Sequence, residues 1–382
     1  MITVIKNNWS ETTIEQVAEE ITDRVDNPSK SEFQKFVGLE DFESGQFKIR
    51  KWGSTENLVS AMKLFKKGDL LFARRNAYLK RASEVEFDGV CSGDAIVLRV
   101  KSKIENGLLT YILNTDRFWE FAIANAAGTM SKRVKWRDLS KYKFLLPPPE
   151  EQKQIAAIFQ NIETSLEQIE WQEKNLKALQ KSLVNGLVST KPVFGSLLKS
   201  NNYTPTNVDQ LADCDKRYPE HENKVERSIG LENIEPEDFQ LKGFGLVADG
   251  TTFTKRFAKG DVLFGKRRPY LKKVAVADYD GICSGDILVI RAKKNKMLQG
   301  LLPYYISSEA FIQHAVRTSA GSLSPRTKWK DLKTFEVSIP NIELQEKILE
   351  VFQQFDTTIQ QLKQQRTTLK NLKQKLLNEI LG

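Results

Sequence analysis

The chain has 382 residues, which is long enough for two domains with separate cores. Its 58 Lys and Arg against 49 Asp and Glu give a formal net charge of +9, which favours a polyanionic partner. The three cysteines include no close pair, which argues against disulfides and a zinc site. The two histidines have no matching partners, which argues against a histidine triad. The sequence has no apolar run near 18 residues and no signal-peptide pattern, which argues against a membrane span and predicts a cytoplasmic protein.

Residues 1–148 are predicted to form a mixed α/β domain. A short capped helix is expected over Thr12–Ala18, and helical spacing continues from Leu108 to Asn125. Strands are expected at Phe36–Glu40, Leu70–Phe72, Ala95–Arg99 and Phe144–Leu146.

A long helix is predicted over residues 149–189, after Pro147-Pro148-Pro149. Glu150 to Asn185 contains no Gly or Pro, and polar Glu173 and Gln180 interrupt its apolar heptad pattern. The apolar positions are Ile155, Phe159, Ile162, Leu166, Ile169, Leu176, Leu183 and Leu187. Such a helix needs a partner along its length.

The second half repeats the first after a polar linker at 190–206. A second domain is predicted at 207–340 and a second long helix at 341–382, with matching residues 192 or 193 positions apart. Eight of the thirteen residues in Phe87–Arg99 are identical in Tyr279–Arg291, so the two domains are closely alike. The second heptad series is Ile348, Phe352, Phe355, Ile359, Leu362, Leu369, Leu376 and Ile380, with Arg366 and Lys373 in its polar gaps.

These patterns predict an α+β protein with two similar mixed α/β domains, separated by two long helices. Antiparallel pairing of the helices as a coiled coil is the simpler arrangement and gives a pseudo-two-fold molecule. The linker is also long enough for a parallel pair.

No catalytic or metal constellation is recognised. Asn27-Pro28-Ser29-Lys30 starts like an amino-methyltransferase motif but lacks its second proline and aromatic residue, and is interpreted as a turn. Glu222-Asn223-Lys224 resembles a nuclease E-x-K motif only faintly and has no counterpart in the first half. Cys91 and Cys283 occupy equivalent positions with no accompanying base, which favours buried structural thiols over nucleophiles.

Basic residues recur at matching turns of both domains, together with aromatic and amide side chains. Arg binds phosphate or a guanine edge through two hydrogen bonds, and Asn can do the same with adenine. The alternative is an ordinary solvated basic turn, but recurrence favours DNA binding. The candidates are Arg74, Arg75, Asn76, Tyr78, Lys80, Arg81, Lys132, Arg133, Lys135, Lys266, Arg267, Arg268, Tyr270, Lys272, Lys273, Arg326 and Lys328.

The layout resembles the specificity subunit of a type I restriction-modification system over essentially the whole chain. The resemblance rests on the Pro-Pro-Pro-Glu-Glu-Gln-Lys-Gln-Ile stretch at 147–155, its counterpart at 340–348, the helix after each, and the Gly-Asp-(Leu/Val)-Leu-Phe segments at 68–72 and 260–264. It implies two target-recognition domains that each read half of a bipartite double-stranded DNA site. The paired helices would set the spacing and bind two methyltransferase subunits, which restriction-translocase subunits join.

The resemblance also implies a non-catalytic chain, with S-adenosylmethionine, ATP and Mg²⁺ bound by the partner subunits. Two alternatives remain: an enzyme, either a nuclease or a methyltransferase fragment, and a coiled-coil scaffold that binds only protein. The close likeness of the two domains further predicts half-sites that share bases when read on opposite strands.

Overall fold

Two long helices, α5 (Pro149–Leu187) and α10 (Ile342–Leu381), each contribute to both units of the chain. The computed structural model describes residues 6–198, 203–222 and 224–382. Unit 1 comprises Met1–Glu170 and Gln364–Gly382, and unit 2 comprises Trp171–Lys363. Residues 199–202 of the predicted linker and Asn223 of the nuclease-like tripeptide lie outside the described residues.

Unit 1 contains three sheets, with strand orders β1-β11, β2-β10-β7-β8 and β3-β6-β9-β4-β5. Neighbouring strands are antiparallel except for β4 and β9, which are parallel. The strands are β1 (Ser10–Thr13), β2 (Ala18–Ile21), β3 (Arg24–Val25), β4 (Lys35–Val37), β5 (Gly53–Ser54), β6 (Met62–Phe65), β7 (Leu70–Ala73), β8 (Ala82–Glu84), β9 (Gly89–Cys91), β10 (Ala95–Val100) and β11 (Lys143–Leu146). The shorter helices are α1 (Ile14–Val17), α2 (Leu108–Ile112), α3 (Asp116–Ala124) and α4 (Trp136–Leu139).

Unit 2 repeats this plan, with strand orders β12-β21, β13-β20-β17-β18 and β15-β14-β19-β16. The parallel pair is now β14 with β19. The strands are β12 (Tyr203–Asn207), β13 (Ala212–Cys214), β14 (Arg227–Ile229), β15 (Gly245–Leu246), β16 (Lys255–Phe257), β17 (Val262–Gly265), β18 (Val274–Val276), β19 (Gly281–Cys283), β20 (Ile287–Ala292) and β21 (Glu336–Pro340). The shorter helices are α6 (Val208–Leu211), α7 (Leu302–Ser307), α8 (Glu309–Arg317) and α9 (Trp329–Leu332).

The helical segment expected from Leu108 to Asn125 is two helices, α2 and α3. Thr115 breaks it, because its side chain accepts a hydrogen bond from the Phe118 backbone N–H at 3.3 Å and so caps a new helix. Ser308 caps α8 in the same way through Phe311 at 3.2 Å. The turn expected at Asn27–Lys30 is confirmed as a short 3₁₀ turn, Pro28–Lys30.

In unit 1 the two long helices are antiparallel. Ile155 and Phe159 of α5 share a core with Ile380 and Leu381 of α10. Further along α5, Glu163 forms a 2.9 Å ion pair with Lys373, and Glu170 lies 4.0 Å from Lys370. Residue numbers therefore rise along α5 as they fall along α10.

In unit 2 the helices are antiparallel as well. Val184 and Leu187 of α5 share a core with Ile348 and Phe352 of α10. Earlier on α5, the Gln180 amide donates a 2.7 Å hydrogen bond to Asp356. Two of the polar gaps in the heptad series, Gln180 and Lys373, are therefore matched by carboxylates from the opposite helix. The predicted mixed α/β class with paired long helices is confirmed.

A buried glutamine ties the start of each long helix to its unit. The Gln152 side chain donates to the Pro147 carbonyl at 2.9 Å and accepts from the Glu105 N–H at 2.8 Å. Gln345 does the same with the Pro340 carbonyl and the Leu298 N–H, both at 2.9 Å. These bonds give the Pro-to-Gln spacing of the two matching sequence motifs a structural cause.

The segment predicted as a linker is partly packed. Phe194 and Leu198 are buried in the core of unit 2, and strand β12 begins at Tyr203. The domain boundaries at 148, 189, 206 and 340 stay a prediction. The packing of the chain defines units whose limits lie within the long helices.

None of the helices in the described part of the chain has the length and apolar character that a membrane crossing requires.

Candidate nucleic-acid interface

The first part of the candidate site is a basic turn, residues 74–81 in unit 1 and 266–273 in unit 2. In each unit it connects two antiparallel strands, β7 to β8 and β17 to β18. Asn76 and Lys80 adopt left-handed backbone angles, φ 56° and 48°, on either side of a 3₁₀ turn. Arg268 and Lys272 repeat them with φ 52° and 51°. Left-handed backbone is unfavourable for most residues other than Gly and Asn, so surrounding contacts must hold Lys80, Arg268 and Lys272 in this conformation.

Those contacts come from a seven-residue glycine loop, residues 127–133 and 320–326. Two main-chain hydrogen bonds close it, between Ala127 and Arg133 at 2.9 and 3.0 Å and between Ala320 and Arg326 at the same distances. Gly128 and Gly321 have φ of 125° and 114°, a region that side chains disfavour.

Main-chain hydrogen bonds join the basic turn to the glycine loop. In unit 1 the Asn76 N–H donates to Lys132 at 3.0 Å, and the Val134 N–H donates to Arg74 at 2.9 Å. In unit 2 the Arg268 N–H donates to Pro325 at 2.7 Å, and the Thr327 N–H donates to Lys266 at 3.0 Å. The predicted residues of the two segments are therefore brought together in each unit.

A carboxylate organises the arginines of unit 1. Asp94 accepts hydrogen bonds from Arg133 at 2.8 and 3.2 Å, and its oxygens lie 3.6 Å from Arg74 and 3.9 Å from Arg75. The hydrogen bond from Arg133 and the neighbouring positive charges lower the pKa of Asp94 despite its partial burial. The carboxylate therefore stays ionised and keeps three like charges close together.

Asp286 has the same role in unit 2. It accepts from Arg326 at 2.8 and 3.0 Å. The hydrogen bond from Arg326 lowers the pKa of Asp286, and the charges of Lys266 and Arg267 lower it further.

Many of the predicted basic side chains are bonded within the protein. Lys80 pairs with Asp116 at 2.8 Å, and the equivalent Lys272 pairs with Glu309 at 2.7 Å. The guanidinium of Arg81 donates to the Leu39 carbonyl at 2.7 Å, as the ammonium of Lys273 does to Leu231 at 2.7 Å. These four residues brace the basic turns from behind.

The side chains that remain available lie at the turn and in or beside the glycine loop. Among the described residues, the side chains of Lys132, Lys135, Arg268 and Lys328 form no hydrogen bond or ion pair, and all four are exposed. Tyr78 and Tyr270 are exposed as well, by 65% and 51%. These residues can contact a ligand without first breaking an internal bond.

Sequence reasoning missed Asp94 and Asp286, and also Ser131 and Ser324. The hydroxyls of these serines accept from Arg75 at 2.6 Å and from Arg267 at 2.5 Å. The signal was in the sequence, because all four residues recur at equivalent positions in the two halves, but a search for cations passes over them.

The aspartate of each Gly-Asp motif is structural. Buried Asp69 accepts from the Lys66 N–H at 2.7 Å and from Arg99 at 2.7 and 2.8 Å. Asp261 receives the matching bonds from Ala258 and Arg291, and also contacts His221 at 2.7 Å. The motif thus fixes the turn that leads into β7 and β17.

The two equivalent cysteines lack the exposure and the low thiol pKa of a nucleophile. Cys91 and Cys283 are buried, as expected, and burial raises the pKa of each thiol to about 12, so both stay protonated. In residues 6–198, 203–222 and 224–382, no cluster of three or more His, Cys, Asp and Glu could hold a metal ion.

Comparison with solved structures identifies the same fold elsewhere. A chain from a structure that describes complex assembly and conformational transition of the type I R-M system superposes with a TM-score of 0.60 at 18% identity, covering 98% of this chain and 97% of that one. The type I restriction-modification system S subunit from M. genitalium superposes with a TM-score of 0.55 at 14% identity, covering 100% and 98%.

Comparison of sequences gives related proteins from bacteria and archaea. The type I restriction enzyme EcoDI specificity subunit of Escherichia coli is 24% identical in an alignment of 294 residues that covers 66% of this chain and 64% of that protein. The MjaVIII specificity subunit of Methanocaldococcus jannaschii is 24% identical in an alignment of 324 residues that covers 77% of this chain and 73% of that one. The match thus spans somewhat less than two thirds of the E. coli relative.

The family model described as the type I restriction modification DNA specificity domain matches residues 7–178 and 246–371, well over half of the chain. Each matched segment contains a basic turn, its glycine loop and part of a long helix. The duplicated fold, the glutamine-anchored helices and this match place the chain in the type I restriction modification DNA specificity domain family.

Proposed function

We propose that this chain is a sequence-specific DNA-binding subunit that reads a bipartite double-stranded target. Each unit would read one half-site, and the chain would direct the methyltransferase and restriction subunits of a type I complex to it. The observation that carries the proposal is the duplicated site. In each unit a carboxylate binds basic side chains, exposed cations lie beside them, and main-chain hydrogen bonds join the basic turn to the glycine loop.

Within this proposal the chain acts in the cytoplasm, without a catalytic group or cofactor of its own. S-adenosylmethionine, ATP and Mg²⁺ would be bound by two methyltransferase subunits and by the restriction-translocase subunits. The buried, protonated thiols and the structural aspartates support this division of labour.

A salt series tests DNA binding directly. Each phosphate neutralised by Lys or Arg releases counterions, so affinity for duplex DNA should fall steeply as salt rises. Gel shifts of the full chain with a random duplex library, followed by selection and sequencing, measure the salt slope and the preferred target together. Affinity that stays flat with salt would contradict the proposal and favour a protein-binding scaffold.

Incubation with DNA and Mg²⁺, or with DNA and S-adenosylmethionine, tests the enzyme alternative. The proposal requires that the chain alone neither cleaves nor methylates DNA, whereas the addition of methyltransferase subunits should produce methylation at the selected target. Turnover by the chain alone would overturn the non-catalytic assignment.

A further inference from the structure

Each glycine loop contains an apolar side chain that is fully or almost fully exposed. Met130 is 100% exposed and Leu323 is 90% exposed. The two loops share a pattern, Ala-Gly-(Thr/Ser)-(Met/Leu)-Ser-(Lys/Pro)-Arg, so a large apolar residue recurs at the same position of both. A single exposed apolar residue is ordinary on a protein surface, but full exposure at a duplicated position is not explained by folding.

The loop that carries this side chain is rigidly attached. Its ends are joined by the two main-chain hydrogen bonds at Ala127 and Ala320. Ser131 binds Arg75 on one side of Met130, and Ser324 binds Arg267 beside Leu323. The backbone that carries each apolar side chain is therefore fixed next to arginines that can contact phosphate.

The surroundings favour nucleic acid over a protein partner. Residues 127–135 contain three basic residues and no acid, and residues 320–328 contain two basic residues and no acid. A polyanion can approach such a loop closely, and once the phosphates are bound, an apolar side chain can contact the bases and the sugars but gains nothing from the phosphates. Leu and Met are among the side chains that insert against base steps in DNA complexes.

We propose that Met130 and Leu323 are apolar base-contacting residues, one in each half-site, pressed against the bases while neighbouring cations hold the phosphates. The proposal rests on the DNA-binding function above and adds residues that a search for charged contacts does not find. An apolar contact differs measurably from a phosphate contact, because it releases no counterions and leaves the salt slope unchanged.

The test compares the full chain with Met130→Ser and Leu323→Ser on the duplex selected by the wild-type protein. Each variant should lose about tenfold in affinity for that duplex, with the salt slope of wild type and with little change on unrelated duplex. Met130→Leu should bind as wild type, because Leu occupies the matching loop. Val59→Ser removes another exposed apolar side chain, 71% exposed on a different loop, and should have no effect.

The outcomes separate the two proposals. If wild type binds DNA with a steep salt slope but the serine variants bind equally well, the apolar contact is wrong and the DNA-binding function stands. An equal loss on selected and unrelated duplex also overturns the base contact. If wild type itself binds no DNA, the proposed function fails. A fluorescent adenine analogue placed along each half-site should report local unstacking that disappears in the matching serine variant.

Discussion

The two basic sites of the molecule share most of the residues that form internal bonds and differ at two outward positions, 76/268 and 132/325. Asp94 and Asp286 match, as do Ser131 and Ser324, and all four bind arginines within their own unit. Asn76 is replaced by Arg268, and Lys132 by Pro325. The comparison separates a shared frame, which sets backbone shape, from exchangeable positions that face outward.

The long helices show a related contrast. In unit 1 Glu163 of α5 pairs with Lys373 of α10, and both are buried. In unit 2 the equivalent carboxylate, Asp356, comes from α10 and binds the amide of Gln180 and the hydroxyl of Tyr304. Both units thus place a carboxylate at this equivalent position of the helix pair. In unit 1 it is neutralised by a charged lysine, and in unit 2 it accepts hydrogen bonds from neutral donors.

Breaking the buried ion pair should have the largest effect. Lys373→Met leaves Glu163 buried and unpaired, so the free energy of unfolding of unit 1 should fall by about 3–5 kcal/mol. Gln180→Met is the matched control in unit 2, where Tyr304 still binds Asp356 and the loss should be about 1–2 kcal/mol. Urea unfolding combined with hydrogen exchange of each unit gives both values. Equal losses would contradict the proposed contrast.

Removing the carboxylate of a basic site should reduce specificity more than affinity. Asp94→Asn takes away the charge that holds Arg74, Arg75 and Arg133 together, so the ratio of affinities for selected and unrelated duplex should fall about tenfold. Affinity for unrelated duplex should hold or rise, because net positive charge increases. Glu56→Gln, an equal charge change at an exposed acid elsewhere in unit 1, should leave the ratio unchanged. An unchanged ratio in Asp94→Asn would show that the carboxylate does not position readout.

Exchanging the first left-handed residue of the basic turn, at position 76 or 268, should change the bases that the unit prefers. Asn76→Arg is tolerated by the backbone, because Arg268 already occupies the equivalent angle. It should change the preferred bases in one half-site, with about 1–3 kcal/mol of discrimination, and leave the other half-site as it was. Repeated selection from the duplex library measures this. A uniform affinity gain over all sequences would instead assign position 76 to a phosphate contact.

Lowering the pH should have the smallest effect on the stability of the fold. The pKa values of Asp94 and Asp286 are lowered in the folded chain by Arg133 and Arg326. Their stabilisation is therefore complete above the ordinary aspartate pKa of about 3.9 and is lost as pH falls through the lowered folded values. Thermal unfolding of wild type and of the Asp94→Asn, Asp286→Asn double variant should differ at neutral pH, and the difference should start to shrink below about pH 4 and disappear only below the lowered folded pKa values. A difference that persists in acid would point to packing rather than charge.

Periodicity and repetition predicted much of this fold. The heptad series predicted both long helices, and the internal repeat predicted that the two halves of the chain share one arrangement of strands and helices. The sequence pattern did not predict that Thr115 starts a second helix, since a threonine within a helical pattern carries no sign of its hydrogen-bond partner. It also could not report that Glu163 and Asp356 match the polar gaps, because neither belongs to the apolar series that defines the contact.

The candidate site was predicted as a set of residue types but not as an arrangement. Composition and recurrence selected the basic residues. Whether a cation is available depends on partners distant in sequence, such as Asp116 for Lys80 and Leu39 for Arg81. The availability of Lys132 and the commitment of Lys80 could therefore be distinguished only with the fold in hand.

The discontinuity of unit 1 has a consequence for biosynthesis. The core of unit 1 includes Leu377, Ile380 and Leu381, which the ribosome adds only after all of unit 2. During translation, part of the apolar surface of unit 1 therefore stays uncovered until the last residues are added, whereas unit 2 can complete its packing earlier. A premature stop codon late in the message would therefore destabilise unit 1, which contains the first residues translated, more than unit 2. Unit 1 should also need a chaperone for longer than unit 2.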